Sequence, residues 1–104
     1  MSRYATTVEA RFVERAFQQA GVSLTLEDED VCLFFGYDYP LAVYFLDVED
    51  GTDYHEFGYG GRGFVPGKRL TKGQMLEVAG VILTEVCFDR LMAFQDAVAL
   101  DLPV

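Results

Sequence analysis

Val31-Cys32-Leu33-Phe34-Phe35-Gly36-Tyr37-Asp38-Tyr39-Pro40-Leu41-Ala42-Val43-Tyr44-Phe45-Leu46-Asp47-Val48 is the stretch on which the fold turns. Two runs rich in aromatic and β-branched residues flank Asp38-Tyr39-Pro40, which are turn formers. The runs read as strands over 31–37 and 41–48, each apolar on both faces. So short a link makes them antiparallel, because parallel neighbours need a crossover of about a dozen residues or more. Downstream, residues 47–53 form an acidic turn around Gly51, and 54–59 read as a further strand. Upstream, Val22-Ser23-Leu24-Thr25-Leu26-Glu27 alternates apolar with polar, which predicts a strand with one buried face. Glu27-Asp28-Glu29-Asp30 then connects it to the next strand. The middle of the chain is therefore expected to be an antiparallel meander of three to four strands.

Helical patterns flank this meander. Thr6-Thr7-Val8-Glu9 has the form of a capping box, and apolar residues follow at Val8, Phe12, Val13, Ala16, Phe17 and Ala20. The spacing predicts a helix from Thr6, ended by Gly21. Thr71-Lys72-Gly73-Gln74 is a second capping box, and one long helix is expected from it to about Ala99. Its stripe is Leu76, Leu83, Cys87, Leu91, Phe94 and Val98. Residues 58–67 read as a glycine-rich loop. The expected class is α+β: an N-terminal helix, the meander, and a long C-terminal helix packed on one face of the sheet.

The totals bound the rest. A chain of 104 residues is expected to form a single domain over 1–104. No apolar run is long enough to span a bilayer, and the first residues carry no signal-peptide pattern, so a soluble cytoplasmic protein is expected. Cys32 and Cys87 are two cysteines among apolar neighbours, read as buried reduced thiols. The net charge of −9 argues against direct binding to nucleic-acid phosphates or to anionic membranes.

That charge is concentrated. Residues 16–61 hold ten acids and no Lys or Arg. Nine of them are expected to crowd one end of the meander: Glu27, Asp28, Glu29, Asp30, Asp47, Glu49, Asp50, Asp53 and Glu56. Asp38 would lie at the opposite end. Residues 57–76 hold no acid but Arg62, Lys68, Arg69 and Lys72. Crowded carboxylates repel one another, so the belt points to a protein partner with a basic surface. Tyr37, Tyr39 and Tyr54 lie nearest the turns and are expected to be exposed there, since Tyr suits interfaces. On the long helix, Val81, Phe88 and Met92 share a side with polar residues, which points to self-association and a homodimer through that helix.

No catalytic constellation is present. His55 is the only histidine, Ser2 and Ser23 the only serines, and no nucleophile-elbow context surrounds them. Gly61 to Arg69 lacks the spacing of a phosphate loop. The acidic turn at 47–53 offers oxygen ligands but not the EF-hand spacing, so no metal and no cofactor are expected. The reading is a small non-enzymatic protein that docks on, and occupies or inhibits, a basic and nucleic-acid-binding type of surface. Short, acidic, motif-free inhibitors such as phage-encoded anti-CRISPR proteins and DNA mimics are of this physical type. The run Leu24-Thr25-Leu26-Glu27-Asp28-Glu29-Asp30-Val31-Cys32-Leu33 also resembles the start of type III secretion chaperones. This resemblance implies an alternative, a dimeric chaperone or scaffold. A weak metal-binding domain or an enzyme is the remaining alternative.

Overall fold

A computed structural model describes residues 2–61 and 67–103. The chain is α+β. It runs β1 (Ser2–Glu9), α1 (Ala10–Gln19), β2 (Asp30–Asp38), β3 (Val43–Asp50), β4 (Asp53–Gly60), β5 (Lys68–Arg69), α2 (Lys72–Glu85) and α3 (Asp89–Leu100). The strands form one sheet in the order β1-β2-β3-β4-β5. The first four pair antiparallel; short links require this of β2, β3 and β4, whereas α1 lies between β1 and β2. The two-residue β5 lies parallel to β4.

The N-terminal segment departs from the expected helix. Thr6 and Thr7 lie within β1, and α1 begins only at Ala10, with no side-chain cap at Glu9. Ser2–Glu9 alternates, with Tyr4, Thr6 and Val8 toward the core and Arg3, Ala5 and Thr7 exposed. Tyr, Thr and Val suit a half-buried pleated surface, and pairing with β2 satisfies the backbone in place of a helical turn. Residues 22–27 form no strand. Their alternation is nonetheless real, because Val22 and Leu26 are buried and Leu24 is packed against the core.

The expected long helix is two helices. Val86 turns extended at the end of α2, and Phe88 is the extended N-cap of α3. Val86, Cys87 and Phe88 are consecutive weak helix formers, and the break lets α3 pack back on α2. At Thr71 the capping box forms as expected: its hydroxyl accepts from Gln74 N, and Gln74 Oε1 accepts from Thr71 N. The expected loop at 58–67 falls partly on β4, and its residues 62–66 lie outside the described residues.

All three helices share one core with one face of the sheet. Phe17 of α1 meets Phe57 of β4, and Phe94 of α3 meets Phe35 of β2 and Tyr44 of β3. Met75, Val78 and Ile82 of α2 lie in the same cluster. Alternation then assigns Cys32, Phe34, Phe45, Asp47, Glu49, Tyr54 and Glu56 to the opposite, helix-free face. Among the described residues, no helix is long and apolar enough to cross a membrane.

Candidate protein-binding surface

Two acidic turns meet at one end of the sheet because β2 starts where β3 ends and β4 begins. Asp50 closes a two-residue hairpin with Asp53 around Gly51, whose φ of +60° suits a primed hairpin turn. The Asp50 side chain then reaches across to the other turn. Its Oδ2 accepts from Glu27 N at 2.7 Å and its Oδ1 from Asp28 N at 2.8 Å. These bonds hold the Asp50 carboxyl below the usual carboxylate range. Asp50 is only 4% exposed. It is therefore a clamp that builds the acidic end, not a group that a partner touches.

The remaining acids divide by position. Glu27, Asp28, Glu29, Asp30, Glu49 and Asp53 are exposed at the turn end. Arg11 flanks this rim, paired with Glu9 at 3.3 Å. Asp47 and Glu56 lie further along the helix-free face, directly opposite each other on β3 and β4. They share a pocket of about 140 Å³ with Arg3, Asp38, Leu41, Val43, Phe45 and Phe57. Asp38, expected at the far end from the belt, thus joins two of its members.

Asp47 is the unusual acid. It is 6% exposed. Tyr54 Oη donates to its Oδ2 at 3.1 Å, and Phe57 N donates to its Oδ1 at 3.4 Å. Burial nonetheless pushes its carboxyl up to about 6, aided by the Glu56 charge and opposed by those bonds and by Arg3. Arg3 Nη2 donates to Tyr54 Oη at 3.2 Å, and its guanidinium lies 4.3 Å from the Phe34 ring centroid. Phe34 and Tyr54 are themselves neighbours, with centroids 6.2 Å apart. A guanidinium thus sits beside an aromatic ring, and its bond to Tyr54 leads to a carboxylate.

The tyrosines separate. Tyr39 and Tyr54 are exposed, Tyr54 at 41%. Tyr37 is not: it is half-buried on the core face, edge-on to Tyr39 and Tyr44. The three residues expected to form a self-association face fall on two helices instead of one. Val81 and Phe88 are half-buried against the core, and only Met92 is exposed, at 45%. The helical break between them removes the common wheel on which they lined up.

Cys32 is half-buried, its thiol pushed up by burial and by the Glu49 charge, which makes it a poor nucleophile. Cys87 is exposed, against expectation. His55 lies on β4 with a buried Nε2 that has no hydrogen-bond partner among the described residues. Asp50, Asp53 and His55 bring one ligand atom each within 4.8 Å of one another. Both Asp50 oxygens in that group are already used by backbone donors.

Sequence reasoning missed Arg3, Phe34, Phe45 and Asp38 as parts of this surface. Misplacing β1 hid Arg3. The apolar residues on both faces of 31–37 and 41–48 were the available signal for Phe34 and Phe45. Compared with protein-family models, curated proteins and solved structures, the chain matches none.

Proposed function

We propose that this chain is a binding protein whose acidic turn end and helix-free sheet face dock on a basic surface of a partner protein. Occupying that surface blocks whatever anion it otherwise holds, nucleic acid included. The observation that carries the reading is the convergence of exposed carboxylates from two separate turns, fastened together by Asp50, beside the Asp47/Glu56 pocket. Arg3 supports it as an internal example. Its guanidinium is held by Phe34 and Tyr54 on this face, and an incoming arginine would meet the same chemistry, with Asp38, Asp47 and Glu56 in reach. Opposed carboxylates gain most from a cation that neutralises them, so complementarity also speeds encounter.

The test uses a short oligoarginine peptide as the probe, with fluorescence anisotropy at low and high salt. Wild type should bind it at low salt and release it at high salt. Glu27→Gln, Asp28→Asn, Glu29→Gln and Asp30→Asn together should weaken binding, and Asp47→Asn with Glu56→Gln should weaken it further. A peptide that does not bind, or binds both variants as well as wild type, sinks the proposal. In a second arm, the chain should release a labelled duplex from a basic duplex-binding protein that takes up oligoarginine-competitive anions; failure there rejects the blocking role.

A further inference from the structure

β1 is an eight-residue edge strand, and its hydrogen-bonding parity can be read from one bond beyond its end. Ala10 N donates to Glu29 O at 2.8 Å, which continues the β1–β2 register by one step. In an antiparallel ladder, alternate residues bond to the same neighbour. Tyr4, Thr6 and Val8 therefore direct their backbone groups to β2. Arg3, Ala5, Thr7 and Glu9 direct theirs outward. No turn or loop backbone bond reaches Arg3, Ala5 or Thr7 among the described residues. The strand holds no proline and no bulge, and Arg3, which lies over Phe34, is the inward charge on its helix-free side.

Its charged outward residues, Arg3 and Glu9, are of opposite sign; within one chain Tyr54 and Arg11 hold them, and a partner strand would draw them across the edge. An antiparallel pairing with a second copy must set outward-facing residues opposite one another, so their residue numbers sum to an even value. Centring the two-fold axis on Thr6 places Arg3 opposite the partner's Glu9 and Ala5 opposite the partner's Thr7. All four lie on the helix-free face, and both charged pairs are of opposite sign. Toward the helices, Tyr4, Ala5 and Thr6 border a cleft of about 450 Å³ with Cys87, Phe88, Asp89 and Arg90. The connection between α2 and α3 thus leaves space beside the strand. α1 leads away from this edge, since Phe17 packs on Phe57 of β4.

We infer that β1 is a homodimer interface, in which two copies pair edge to edge across a two-fold axis at Thr6 and join their sheets into one. The contact is isologous and closes after two chains, because it uses up the outward groups of both strands. Phe88 and Cys87 then line the interface from the cleft, through the sheet edge and not through a helix face. The two readings share Arg3, but self-association is measured apart from oligoarginine binding, so either can fail alone.

Sedimentation equilibrium over a range of concentrations reads it directly, and wild type should be dimeric. Arg3→Glu sets glutamates opposite the partner's Glu9, and Glu9→Arg sets arginines opposite the partner's Arg3. Each variant alone should weaken self-association about tenfold or more. An equimolar mixture of the two restores both opposite-charge pairs, so it should dimerise where neither does alone. Thr7→Pro removes an outward N–H and no bond to β2, so it should give a folded monomer. Amide exchange covers the case in which a variant fails to fold. In wild type, Ala5 and Thr7 should be protected only at concentrations where the dimer persists, while Thr6 and Val8 stay protected on dilution. A monomeric wild type, a mixture that stays monomeric, or Ala5 and Thr7 amides indifferent to concentration would each overturn the inference.

Discussion

Asp47 and Glu56 stand directly opposite each other on neighbouring strands, and only Asp47 is buried. Two like charges in one cross-strand pair oppose folding. Burial above all, with the Glu56 charge adding to it, makes Asp47 hold its proton in the folded chain up to about pH 6, against its ordinary value of 3.8. A group whose value is raised on folding contributes stability that is fully present below the ordinary value. That contribution is lost as pH rises through the folded one. The two values correspond to about 3 kcal/mol as an upper bound. Urea unfolding should show wild type losing stability relative to Asp47→Asn between pH 4 and pH 7, by an amount approaching that bound. Parallel curves for the two proteins across this range would contradict the assignment.

Asp50 has the opposite sign. Its carboxyl is held low by the Glu27 and Asp28 amides, so its contribution is present above the ordinary value and lost as pH falls through the lower folded one. Asp50→Ala should release the 27–30 segment from the β3–β4 hairpin. Hydrogen exchange at the Glu27 and Asp28 amides should then rise to near the rate of an exposed chain, while the β2 amides keep their protection. Unchanged exchange at both amides would show that the clamp does not hold the turns together.

The two ends of the chain show why some elements were legible and others not. Residues 31–59 carry strong local signals, with aromatic and β-branched runs separated by Asp, Pro and Gly turns, and β2, β3 and β4 follow them closely. Thr71 and Gln74 needed only each other to form their box. Thr6-Thr7-Val8-Glu9 fits both a capping box and a strand, and the choice fell to β2, a partner more than twenty residues away. The break at 86–88 has no glycine or proline, so packing of α3 decides it. The surface followed the same division. Counting charges located the acidic turns, but burial separated clamp from rim: Asp50 and Asp47 look like any other acid until a backbone amide or a tyrosine hydroxyl is placed beside them.

Gly36 tests the seating of β1 from the other side. A Cβ there would lie 2.0 Å from Ser2 O, a backbone atom that cannot move without shifting the strand. Gly36→Ala should destabilise the fold by about 1–3 kcal/mol or more by forcing β1 away from β2. Thermal unfolding by circular dichroism checks this, and an unchanged Tm would mean that β1 is loosely seated. The same variant should disturb any assembly that uses the outer edge of β1.

Tyr44 ties the end of the chain to the sheet. Its hydroxyl donates to Leu102 O at 2.6 Å, beyond the end of α3, while the ring packs between Tyr37, Tyr59 and Phe94. Burial pushes its phenol up to about 12, aided by Tyr37, Asp101 and Tyr59, so it remains a donor throughout the neutral range. Tyr44→Phe keeps the ring and removes only the hydroxyl. The loss should be about 1 kcal/mol, and it should be local. Asp101 remains held by Lys72 at 2.7 Å and by the Tyr59 hydroxyl at 3.0 Å, so α3 stays docked. Urea unfolding should report the small loss, and amide exchange should place it at Leu102 and the last turn of α3. A loss spread evenly over the β3 amides would instead mean that the hydroxyl supports the sheet itself.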